Sequence, residues 1–124
     1  MCRYSITLEG MMKIVEENKG AVRVIRLGGK VISGPDLMEV KTAFESAVNN
    51  DYRKIIVDLG GVSWMDSSGL GVLVSGHTTV SRAGGRMVIL NATKKINELF
   101  IITKLITVFE TFNDETEALA ALEG

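Results

Sequence analysis

Residues 64–73 read WMDSSGLGVL, and this stretch decides how the rest of the chain is understood. An acid is followed by two serines, and two glycines then sit among apolar residues. Asp66 suits a helix N-cap, because its carboxylate can accept a hydrogen bond from the amide of Ser68 or Gly69. Met65 before the cap and Leu70 at the fourth helical position form the pair of a hydrophobic staple. Leu70, Leu73, His77 and Val80, joined by Val74, continue one side of a helix over residues 66–82. Serine is common in first turns, where its hydroxyl competes for backbone hydrogen bonds. Glycine is not, since each one costs about 1 kcal/mol against alanine inside a helix. Gly69, Gly71 and Gly76 therefore need a reason. Tight packing on a sheet is one, and clearing the helix start for a docking partner is the other. A hydroxyl at Ser67 would stand at the positive end of the helix dipole, where a phosphate is tolerated. Phosphorylation there would add roughly −1.5 to −2 charges beside Asp66. Unit charges about 5 Å apart at an effective dielectric near 20 interact by about 3 kcal/mol. Such a group would leave the fold intact and repel an acidic or close-fitting partner.

Outward from this helix, turn residues divide the chain at Gly20, Gly28-Gly29, Gly34-Pro35, Asn49-Asn50, Gly60-Gly61 and Gly84-Gly85. Residues 55–59 (IIVDL) and 86–90 (RMVIL) are short, branched and apolar on both faces, as strands between helix layers are. One helix lies between them, which predicts a βαβ crossover with parallel pairing. Residues 12–16 form a first strand, turned by Asn18-Lys19-Gly20 into a second over 21–27. Val31-Ile32 is a candidate short strand. Ser33 and Asp36 resemble a capping box, and Pro35 fits the first turn of a helix carrying Leu37, Val40, Phe44 and Ala47 inward. A helix over 94–101 buries Ile96, Leu99 and Phe100. A short strand over 107–110 follows, and Asn113 or Asp114 caps a last helix with Ala118, Leu119 and Leu122 on its apolar face. The run 99–106 (LFIITKLI) exceeds what one helix face can bury, so part of it should be exposed. The fold class expected is α/β: a mixed, largely parallel sheet of four to five strands with about four helices packed on it. Residues 1–124 form one domain, with 1–11 an extended or poorly ordered N-terminal segment.

Composition narrows the function. The chain has 124 residues, a net charge of −1, 46% hydrophobic and 23% charged residues. That suits one soluble domain and leaves no basic footprint for nucleic acid. No apolar run approaches the ~20 residues that span a membrane, and no secretory signal is visible. Cys2 is the single cysteine, which excludes an internal disulfide and fits a cytoplasmic location. A serine hydrolase needs a base beside its nucleophile. The only histidine, His77, is ten residues beyond Ser67 on the same helix, roughly 15 Å at 1.5 Å per residue. It reads as a packing or surface residue. The third glycine of GLGVLVSG falls too late for a dinucleotide fingerprint. No cluster has metal-ligand spacing. Asp58 and Asp66 could suggest a phosphoaspartyl pocket, but Asp58 reads more simply as a strand end. No catalysis, cofactor or metal is expected.

Residues 55–59, the GVSWMDSSGLGVLV segment, Gly84-Gly85 before RMVIL, and the C-terminal TKKINELFIITKLITVFETFNDETEAL together resemble the STAS domain, over roughly residues 12–122. The resemblance implies a free-standing anti-sigma factor antagonist of a bacterial partner-switching circuit. Its expected partners are an anti-sigma factor that is also a GHKL-class serine kinase, and a PPM-type phosphatase that resets the switch. It implies phosphorylation of Ser67, and a partner surface of Asp66, Ser67, Ser68, Gly69, Leu70 and Gly71. Asp66 caps and presents Ser67, Ser68 shapes the turn, and Gly69 and Gly71 clear space. The loop before the first helix departs from the family: where many antagonists carry an acid in a pattern like GELDA, GKVISGPD here places Ile32. A homodimer remains compatible with the sequence. The alternative is a non-catalytic STAS scaffold or ligand sensor acting on a non-sigma partner. Trp64 reads equally as a partner contact or as a residue buried beneath the loop.

Overall fold

A computed structural model of the chain describes residues 2–6 and 12–123. The elements are β1 (Cys2–Ile6), β2 (Met12–Lys19), β3 (Val22–Val31), α1 (Asp36–Asn49), β4 (Lys54–Met65), α2 (Ser67–Arg82), β5 (Arg86–Leu90), α3 (Lys94–Ile102), a 3-10 turn (Leu105–Thr107), β6 (Glu110–Phe112) and α4 (Glu115–Glu123). The strands form one mixed sheet in the order β1-β2-β3-β4-β5-β6. The β1–β2 and β2–β3 pairs are antiparallel, and the three that follow are parallel. Gly20, at φ 63°, makes the tight β2–β3 connection that Asn18-Lys19-Gly20 foreshadows. Residues 2–6 of the segment 1–11 add an edge strand. Residues 1 and 7–11 lie outside the described residues.

The central strands are apolar on both faces because both faces are covered. Ile55, Val57 and Leu59 point into the larger core with Phe44, Leu73, Val80, Ile96 and Phe100 from α1, α2 and α3. Ile56 points the other way, with Val22, Val24, Val88 and Leu90, and there Ala118 and Leu122 of α4 close the sheet. Burying each large aliphatic side chain stabilises by about 1.5–3 kcal/mol. The expected inward set of α1, Leu37, Val40, Phe44 and Ala47, is buried and Ala43 joins it. On the α4 side, Arg26 bridges Glu17 at 2.7 Å, Asp58 at 2.7 Å and Glu115 at 2.8 Å, and Lys19 pairs with Glu115.

Several expected boundaries move for identifiable reasons. Residues 31–32 are not a separate strand, because β3 continues to Val31 through register shifts around Gly28 and Gly29. Gly60-Gly61 does not turn the chain, and β4 runs through it to Met65. Gly61 pairs with Gly28, and a Cβ on Gly61 would sit 3.3 Å from the Gly28 Cα. Gly61 serves close strand approach rather than reversal. The capping box does not form: α1 starts after Pro35 with no side-chain cap, and the Ser33 amide is engaged elsewhere. Residues 105–107 form the 3-10 turn, and the strand begins later, at Glu110. Phe109 is first drawn inward against Phe100, with ring centroids 5.3 Å apart. Asp114 accepts the Thr116 amide at 2.7 Å at the start of α4, as a cap should.

The three parallel crossovers set the geometry that matters. β3, β4 and β5 are parallel neighbours, so α1, α2 and α3 all begin at the same edge of the sheet. That carboxyl edge is where open α/β sheets place their binding surfaces.

Candidate functional site

Asp66 stands between β4 and α2 with extended backbone (φ −98°, ψ −175°). One carboxylate oxygen, Oδ1, accepts the Gly69 amide at 2.9 Å. The other, Oδ2, accepts the Ser33 amide at 2.9 Å from the β3–α1 loop. The Asp66 amide donates to the Val31 carbonyl at 3.3 Å. The residue thus caps α2 and fastens the neighbouring loop to it. The Ser33 and Gly69 amides hold its carboxyl below the usual aspartate range, against a smaller opposing effect of burial.

The first turn of α2 divides by residue. Ser67 and Ser68 are exposed, and Gly71 is exposed too. Met65 is buried and Leu70 is 8% exposed within the main core, which is the expected staple. Gly69 is buried. A Cβ there would meet the Val31 carbonyl oxygen at 2.3 Å and Met65 Cγ at 2.7 Å. Gly69 therefore makes room for the protein's own strand β3, and the expectation that it clears space for a partner is corrected. Gly76 is explained the same way, by the Phe44 ring 2.5 Å from its would-be Cβ. At Gly71 a Cβ would meet nothing within 4 Å. It alone of the three leaves open surface. The surface here consists of Ser67, Ser68 and Gly71 beside half-buried Asp66, while Gly69 and Leu70 face inward.

Of the other candidates, His77 and Asp58 have structural partners, and Trp64 lies at this edge. His77 packs edge-on against Phe109 at 5.7 Å between centroids. Asp58 accepts from Arg26 and from the Gly60 amide at 2.8 Å, which is the work of a strand residue. Trp64 at the end of β4 is 40% exposed, with Lys95 Nζ 5.3 Å from its ring centroid. In the 99–106 run, Ile101 and Ile102 are 55% and 77% exposed, as its excess apolarity implies. A backbone donor carries no residue signature, so the hold of Asp66 on the Ser33 amide is not legible in the sequence. Among the described residues no helix is long and apolar enough to cross a membrane.

The carboxyl edge of this small α/β domain thus presents a helix tip capped by Asp66, with Ser67 and Ser68 exposed. The chain belongs to the STAS domain family, whose model matches residues 12–118. It is 25% identical over 112 residues to the anti-sigma F factor antagonist of Paenibacillus polymyxa, covering 90% of this chain and 96% of that protein. It is 35% identical over 83 residues to the anti-sigma-B factor antagonist of Staphylococcus aureus, covering 65% of this chain and 74% of that one. A solved anti-sigma factor antagonist from Mycobacterium paratuberculosis has the same fold, with a TM-score of 0.80 at 18% identity over 91% of this chain and 95% of that one. The fold and the named relatives make this a non-catalytic regulatory protein of the anti-sigma factor antagonist family.

Proposed function

We propose that this chain is an anti-sigma factor antagonist controlled by phosphorylation of Ser67. Unmodified, it binds an anti-sigma factor that is also a GHKL-class serine kinase, and sigma factor is freed. That kinase transfers phosphate from ATP to the Ser67 hydroxyl, the complex weakens, and a PPM-type phosphatase restores the unmodified form. The cycle belongs to the cytoplasm, where the kinase finds its ATP.

The observation that carries this reading is the exposed Ser67 at the first position of α2, directly after an aspartate already committed to two amides. The hydroxyl is open to a kinase. Because Asp66 holds the helix start by itself, a phosphate on Ser67 adds charge without being needed for the cap. The new dianion would lie at the helix N-terminus, which tolerates it, and beside Asp66, which sharpens the local negative field. The names of the relatives support the same role.

Mass spectrometry after incubation with ATP and the GHKL kinases encoded nearby tests it. One phosphate on Ser67, absent from Ser67→Ala, is expected. Equal binding of Ser67→Ala and Ser67→Asp to every such kinase would instead favour a scaffold or ligand sensor.

A further inference from the structure

We infer that Lys30, Trp64 and Lys95 form a docking patch for an acidic segment of the partner protein. This deepens the reading above and relies on it only for the partner's identity and for the switching step.

Lys30 on β3 is the register neighbour of Trp64 on β4. The next pair, Val31 and Met65, is fully buried on the α1–α3 side. Lys30 and Trp64, by contrast, are both exposed, just after the register shift between Gly29 and Lys30. Lys95, in the first turn of α3, reaches across so that its ammonium lies 5.3 Å from the indole centroid. Lys94 is exposed beside it. None of these lysines forms an ion pair among the described residues, whereas Lys19, Arg23, Arg26 and Arg86 of the sheet are all paired. Glu98, one turn along α3, pairs with neither Lys94 nor Lys95. The result is an indole flanked by unneutralised ammonium groups.

The complementary surface carries carboxylates for the lysines and an apolar group for the indole. Aromatic residues at such positions are typical binding anchors. A nucleic acid is the poorer fit, because the chain has a net charge of −1 and the lysines form a spot rather than a track. The patch also adjoins the switch. Trp64 precedes Ser67 by three residues, so it lies within about 10 Å of it along an extended chain, a distance comparable to the Debye length in the cell. A phosphate on Ser67 would neutralise the patch from the side and repel the carboxylates that seek it.

Trp64 is the only tryptophan, so its fluorescence reports the patch directly. The full chain is titrated with a glutamate–leucine peptide at low salt, with a lysine–leucine peptide and single-stranded DNA as comparisons. The acidic peptide should perturb Trp64 saturably, salt should weaken binding, and Lys30→Glu with Lys95→Glu should weaken it by about tenfold or more. Lys30→Gln with Lys95→Gln should fall between, which separates charge from any effect on folding. Unchanged affinity in the charge-reversed protein, or preference for the lysine peptide or DNA, overturns the proposal. Ser67→Glu separates the two readings. Weaker peptide binding in that variant supports both. If it binds like the parent while the lysine variants do not, the patch stands and the electrostatic link from Ser67 to it fails.

Discussion

The Asp66 carboxylate and the Ser33 amide, 33 residues apart in sequence, meet at 2.9 Å and tie the β3–α1 loop to the start of α2. With the Gly69 amide on the other oxygen, one side chain organises two segments of the binding edge. Asp66→Ala should lower stability by about 0.5–2 kcal/mol, the usual range for a lost cap, and speed hydrogen exchange at the Ser33 and Gly69 amides. Asp66→Asn, with a single acceptor oxygen, should retain the cap and release the loop. Exchange rates at those two amides distinguish the cases.

The same contact predicts a pH dependence. The folded Asp66 carboxyl titrates below its ordinary range because amides stabilise the anion. Its contribution is therefore fully present above the unfolded aspartate value and is lost as pH falls through the folded one. Asp66→Asn should flatten the acid limb of a stability curve measured by urea unfolding at a series of pH values.

The glycines of α2 should respond in opposite directions. Gly69→Ala pushes a methyl into the Val31 carbonyl and should destabilise by about 1–3 kcal/mol. Gly71→Ala meets open space and should stabilise by about 0.5–1 kcal/mol through backbone entropy. If Gly71 serves partner approach, the alanine variant will nevertheless bind the kinase less tightly. Thermal unfolding together with a binding titration checks both.

How far the sequence discloses such features depends on what each residue's partners are. The strands at Ile55 and Met87 and the helix after Asp66 are legible because periodicity and a cap are local properties. Gly60-Gly61 misleads, since a glycine pair signals a turn equally well as a close strand approach, and only Gly28 on the neighbouring strand decides. Ser33 misleads for a similar reason: its nearest acid in sequence is Asp36, yet its amide is bound to Asp66. Ser67 and Ser68 are legible from their place after the cap. Leu70 is legible as the inward half of the staple, whereas Gly69 looks like a surface residue in the motif, and only its close approach to Val31 turns it inward.

The ion cluster under α4 supplies a further check. The ammonium of Lys19 holds the Glu115 carboxyl below the usual glutamate range, with Arg26 adding to it against the opposing effect of burial. Its stabilisation is present above the unfolded glutamate value and fades as pH falls through the folded one. With both partners partly exposed, Glu115→Gln should cost no more than about 1 kcal/mol. The loss should concentrate in α4, read as faster amide exchange there at neutral pH and as no difference from the parent in strong acid.

In the proposed cycle, charge on Ser67 ends binding while leaving the domain folded. The most direct measurement is a calorimetric titration of the proposed partner kinase with the unmodified and the Ser67-phosphorylated protein, alongside the unfolding midpoint of each. The account predicts an affinity lower by about tenfold or more after phosphorylation with an unchanged midpoint. Equal affinities, or a loss of binding that merely follows a loss of folding, would contradict it.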